Sequence, residues 1–163
     1  MKKLFVILVF FISGSTSPVF SSGTSIRSVV SPDQRIEILR TFLSRYDSPL
    51  TSYAAEFVEA ADFYGIDWKL VPAITGVEST FGKFTPEGSY NAYGWNNGNY
   101  RFFSWEDSIW QVTKTLKTKY FDRGVATIAQ IARVYAPPSD TWGKNVTFFV
   151  NKLQNTSALA FNP

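Results

Sequence analysis

The sequence predicts a mainly α-helical domain with a small β-hairpin and loop lobe inserted after its third helix. Three observations carry this. Apolar residues recur every three or four positions in six separate segments, most of them opened by a Ser, Asp or Pro start and most closed by Gly or Pro. The periodicity is broken once, over residues 83–103, by a run rich in Gly, Asn and aromatic side chains. With 163 residues and no cysteine, the chain is long enough for one packed core and has no disulfide to hold it.

The chain opens with Lys2 and Lys3, an apolar run from Leu4 to Ile12, and small residues around Ser21 and Ser22. That pattern predicts an export signal over residues 1–22, cleaved after Ser21 or Ser22 and followed by a flexible leader over 23–30. The apolar run falls short of the roughly 20 residues a membrane span needs, so membrane contact is expected only through this segment if it stays uncleaved. The expected location is secreted, or periplasmic and at the cell wall. The folded domain is expected over 31–155, with 156–163 as a tail.

Ser31-Pro32 starts the first helix, in which Ile36, Leu39, Phe42, Leu43 and Tyr46 share one face. A second Ser-Pro pair, Ser48-Pro49, opens a helix carrying Tyr53, Phe57, Val58, Ala61 and Tyr64, and Gly65 ends it. The third is expected from Trp68 to Phe81, with Asp67 as its cap and Gly82 closing it. Asn97-Gly98, between Trp95-Asn96 and Asn99-Tyr100, predicts a tight type I′ hairpin. Ser104 and Asp107 mark the cap of a fourth helix reaching Tyr120. A fifth runs from Ile128 to Tyr135 and stops at Pro137-Pro138, and Ser139-Asp140 caps a last helix with Trp142, Val146, Phe149, Val150 and Leu153 inward.

The residues available for chemistry are few. Histidine and cysteine are both absent, which removes thiolate zinc sites, His-activated nucleophiles and imidazole acid-base catalysis. No metal or cofactor is expected. The net charge of +3 is mild and no Lys/Arg run stands out, so a nucleic-acid partner is not expected. Glu78 is the single carboxylate near the end of an otherwise apolar helix. Partial desolvation and the negative end of the helix dipole both favour its neutral form, the requirement for a general acid near neutral pH. A surface glutamate at a helix end is the plainer alternative. The following loop, Ser89-Tyr90-Asn91-Ala92-Tyr93-Gly94-Trp95, offers hydroxyl, amide and flat aromatic groups suited to gripping a sugar, with Ser89, Asn91, Tyr93 and Trp95 as binding candidates.

These stretches resemble a known family. Glu78-Ser79 closing a helix, Phe81-Gly82-Lys83, the Tyr90 to Trp95 segment, Arg101-Phe102 with Ser104, and Tyr135-Ala136 ahead of Trp142 and Val146 resemble the bacterial glucosaminidase domain, mannosyl-glycoprotein endo-β-N-acetylglucosaminidase-like, of the lysozyme-like superfamily. Soluble lytic transglycosylases look similar over the Glu-Ser helix and the Asn-Ala-Tyr-Gly segment, but here Gly94 is followed by Trp95-Asn96-Asn97 where they continue Leu-Met-Gln. The resemblance implies a lysozyme-like helical domain, a β-1,4 glycosidase of peptidoglycan or a related amino-sugar polymer, and no cofactor. It makes Glu78 the catalytic acid and Tyr135 a cleft residue, with Tyr93 and Trp95 in the same groove. A second acid is left open: Glu87 as base, or Glu78 alone with help from the substrate acetamido group. Two alternatives stay open beside it, a lytic transglycosylase giving 1,6-anhydro products and a non-catalytic wall-binding module. A monomer is expected.

Overall fold

A computed structural model describes residues 32–161, with side chains described over 34–156. The expected signal peptide, the leader and the Ser31 cap lie outside the described residues. Among the described residues six α-helices follow one another: α1 (Pro32–Ser44), α2 (Ala54–Tyr64), α3 (Leu70–Ser79), α4 (Trp105–Thr115), α5 (Ile128–Tyr135) and α6 (Trp142–Phe161). The mainly helical class is as the sequence predicts.

The arrangement turns on α3. Its sequence, LVPAITGVES, is apolar on nearly every side, and a helix of that kind has to be enclosed. Every residue of it is buried except Val77 and Glu78. α6 and α4 pack against it, α1 bridges α2 and α6, α2 also lies along α4, and α5 rests on α6. Arg35 of α1 donates both terminal nitrogens to the Asp62 carboxylate of α2, at 2.7 and 2.6 Å. Gly65 ends α2 with φ +65°, as its position in the sequence predicts.

The expected third helix, Trp68–Phe81, is shorter at both ends. The Asp67 carboxylate accepts the N–H of Lys69 in a turn ahead of α3, rather than capping the helix itself. At the other end Thr80, Phe81 and Gly82 are all left-handed (φ 51°, 59° and 82°), so the helix closes at Thr80 before the glycine is reached. The Phe81 N–H returns to the Thr75 carbonyl at 2.9 Å. This folds the Phe81 ring back over Gly76, where a Cβ would stand only 2.6 Å from the ring. Each non-glycine residue in that region costs about 1–2 kcal/mol. Complete burial of the Phe81 ring, among Phe42, Tyr46 and Phe149, offsets it by about 1.5–3 kcal/mol.

The expected hairpin does not form, and no strand occurs among the described residues. Asn96, Asn97 and Gly98 are left-handed in succession (φ 51°, 51° and 83°), one residue more than a type I′ turn uses. The flanks Trp95 and Tyr100 do not continue as a ladder because the Asn91 side chain holds them. Its amide nitrogen donates to the carbonyls of Trp95 (2.9 Å) and Tyr100 (3.1 Å), and its oxygen accepts the Trp95 N–H at 3.1 Å.

Ser104 caps α4 as expected, accepting the Asp107 N–H, while the Asp107 carboxylate accepts that of Phe103. The predicted run to Tyr120 changes form at its end: Leu116–Tyr120 is a π-helical turn and Phe121–Arg123 a 3₁₀ turn. The π-helical form widens the helix, and such single turns are frequent at functional sites. α5 carries a complete capping box between Thr127 and Gln130. α6 continues to Phe161, so the stretch expected as a tail from residue 156 is helical that far.

Candidate active site

Glu78 stands one residue before the end of α3, at the part of that helix left half-open. Its two carboxyl oxygens have different neighbours. Oε1 accepts a hydrogen bond from the indole Nε1 of Trp142, the first residue of α6, at 2.6 Å. Oε2 lies against Gly94, only 2.7 Å from where a Cβ on that residue would stand. Gly94 is left-handed as well (φ 70°), so the position excludes a side chain twice over. Burial pushes the Glu78 carboxyl above the ordinary glutamate range, and the weaker pull of the Trp142 bond acts the other way.

The wall beside the acid is aromatic. Tyr135, the last residue of α5, stacks on Trp142 with centroids 4.9 Å apart and planes at 24°. Its hydroxyl donates to the Tyr93 carbonyl at 2.7 Å, which ties α5 to the loop carrying Gly94. Burial first, and then the neighbouring Glu78, push the Tyr135 hydroxyl well up, so it remains a neutral donor. Tyr120, on the π-helical turn, lies 6.4 Å from Tyr135.

A cleft of about 420 Å³ opens along this wall. Its floor is Val112 and Leu116, both buried, and its exposed rim includes Asn96 and Asn97. Trp95, half-buried and packed on Tyr100 and Phe102, forms the side facing Tyr120 and Tyr135. Glu78 is not itself part of the cleft lining; its carboxyl adjoins two residues that are, Gly94 and Tyr135. Apolar floor, aromatic sides and a few amides at the lip make a surface on which a pyranose ring can stack while its substituents find donors and acceptors.

Of the residues expected at the site, Glu78, Trp95 and Tyr135 come together. Tyr93 contributes its carbonyl and not its ring, which is fully buried, with a hydroxyl pushed up by burial. Ser89 and Asn91 are corrected from binding groups to scaffold. Ser89 is buried and accepts the Asn91 N–H, and Asn91 spends its amide on the loop backbone, so neither faces the cleft. Glu87 is exposed and is not part of the cleft lining, and its carbonyl accepts from Arg101. The residues missed by sequence reasoning are Gly94 as the seat of Oε2, Tyr120 and Leu116 as cleft residues, and Trp142 as partner of the acid.

Ser79, next to Glu78, anchors the whole assembly. Its hydroxyl reaches the carbonyls of Thr75 (3.1 Å) and Ala92 (3.0 Å) and accepts the Gly82 N–H at 2.8 Å, joining the end of α3 to the cleft loop. Among the described residues no three carboxylates gather where they could hold a metal ion. No protein-family model matches the chain, and no curated protein matches it in sequence.

Proposed function

We propose that this protein is an exported glycosidase that cuts β-1,4 bonds between amino sugars, with peptidoglycan as its polymer and Glu78 as its general acid. One observation carries it: a lone carboxyl, half-buried and pushed toward its neutral form, bordering a cleft with aromatic sides. A general acid has to be protonated near the working pH and yet able to release its proton, and desolvation sets Glu78 in that direction. Charge at the new leaving-group oxygen is relieved as the proton transfers, and the oxocarbenium character left on the sugar needs a second group.

Among the described residues no acid is part of the cleft lining, Glu78 is the one that adjoins it through Gly94, and Glu87 is exposed in the loop. This favours assistance by the acetamido oxygen of the substrate over a two-carboxylate mechanism, which needs its acids about 5–9.5 Å apart. An intermediate of that kind is opened by water, giving a reducing end, or by the sugar's own 6-hydroxyl, giving a 1,6-anhydro end. The latter is the lytic transglycosylase outcome, and the single acid favours it as the second reading.

The test is a zymogram on cell-wall material. The wild-type protein clears it and Glu78→Gln does not, while both melt as folded proteins. Mass spectrometry of the released fragments separates reducing GlcNAc, reducing MurNAc and anhydro ends. Normal clearing by Glu78→Gln removes the acid from the mechanism, and binding without clearing by both proteins leaves a wall-binding module.

A further inference from the structure

We infer that Trp142 sorts the two oxygens of Glu78, keeping Oε1 as a fixed acceptor so that the acid's proton resides on Oε2, the oxygen beside Gly94 of the cleft lining. The inference rests on the acid role proposed for Glu78 and adds a positioning residue 64 positions along the chain. An indole N–H donates and cannot accept. In a neutral carboxyl the carbonyl oxygen is the better acceptor, so a donor held 2.6 Å from Oε1 leaves the O–H on Oε2.

Trp142 can impose this because it is itself fixed. It is buried, stacked on Tyr135, and held at the start of α6 by its backbone N–H on the Ser139 hydroxyl at 3.1 Å. Tyr135 is tied in turn to the carbonyl of Tyr93, the residue before Gly94. Glu78, Trp142, Tyr135 and the Tyr93-Gly94 backbone thus form a closed circuit through α3, α6, α5 and the loop. A free carboxyl at a helix end would exchange its two oxygens by rotation about the last side-chain bond. Here that rotation breaks the indole bond.

Of the charged groups on the elements around Glu78, Lys114 on α4, Arg133 on α5 and Asp140 and Lys144 about the start of α6 are exposed and are not among the influences on it. The titratable groups in the wall beside it are Tyr135 on α5, Tyr93 in the loop and Tyr120 after α4. Burial raises all three, so none brings a charge to the site. Burial and Trp142 account for the state of the acid between them. The indole bond is stronger to the carboxylate than to the acid, so Trp142 also restrains how far burial can raise Glu78.

Trp142→Phe keeps a ring against Tyr135 and removes the N–H. The expected result is a kcat lower by on the order of tenfold or more, with KM little changed. The alkaline limb of the pH profile moves up by about one unit, because the carboxylate has lost a donor. A limb that stays at the wild-type pH in the folded variant overturns the inference. If the Phe variant does not fold, the wild-type protein decides: the Trp142 indole proton resonance shifts with pH as Glu78 titrates, and this shift disappears in Glu78→Gln. An indole resonance indifferent to pH also overturns it. Failure of the acid role itself would show differently, as clearing by Glu78→Gln with the indole titration of the wild type intact.

Discussion

A methyl group on residue 94 would stand 2.7 Å from Oε2 of Glu78 and 3.4 Å from its Cδ. Gly94→Ala is therefore a perturbation whose size can be worked out. The first contact is well inside the roughly 3.5–4.0 Å at which non-bonded atoms attract, so the carboxyl has to swing away. Swinging breaks the 2.6 Å bond from Trp142, a hydrogen bond to a group that can carry charge, at a cost of about 1.5–3 kcal/mol. The left-handed backbone (φ 70°) adds about 1–2 kcal/mol for an L side chain, of which about 0.4–1 kcal/mol is returned by the stiffer unfolded chain. Together these destabilise the domain by about 2–4 kcal/mol, a fall in Tm on the order of 10 °C. Because the displaced group is the proposed acid, turnover falls by about 10²-fold. The assay is a double-mutant cycle by denaturant unfolding, with Glu78→Ala as the second change. Once the carboxyl is gone the methyl has room, and Gly94→Ala should then cost only about 1 kcal/mol of backbone strain. Equal costs in the two backgrounds would refute the contact between Gly94 and the acid.

Two further predictions follow from the same geometry. Burial holds Glu78 above its ordinary range, so its contribution to stability is whole below the unfolded glutamate pKa and is lost as pH rises through the raised folded value. Glu78→Gln lacks this loss, so in urea unfolding at about pH 7.5 it should be the more stable protein, with the gap closing by about pH 4; a constant gap would mean the carboxyl is not desolvated. Asn91→Ala strips partners from the Trp95 N–H and from the carbonyls of Trp95 and Tyr100, and should cost about 3 kcal/mol. Asn91→Asp should be no better, since a carboxylate would then face two carbonyl oxygens, and a thermal melt within about 0.5 kcal/mol of wild type for either variant would contradict the scaffold role.

Much of the helical frame was legible because its signals are local. Ile36, Leu39, Phe42 and Leu43 repeat at the helical period, Gly65 and Pro137 stop helices within their own turns, and Ser104 and Asp107 cap across three residues. Glu78 stood out for a similar reason, as the single carboxylate in an apolar helix. The misread points depend on contacts that no window contains. Asn97-Gly98 carries a hairpin signal, yet the Asn91 amide, outside the turn, captured both flanks. Thr80 rather than Gly82 closed α3 because the Phe81 ring found a cavity among α1 and α6 residues. Ser89 and Asn91 have the chemistry of sugar-binding groups, and burial decided that they serve the loop instead.

The sequence by itself determined the helical class, the order and approximate ends of the helices, and the presence of one acid at an apolar helix end, since each follows from periodicity and capping within a few residues. Only the tertiary structure decided what that acid touches. The indole of Trp142 and the bare Cα of Gly94 reach it from distant parts of the chain, and the ring of Tyr135 braces the indole. Their meeting is set by how α3, α5 and α6 pack, and packing is a property of all the helices at once.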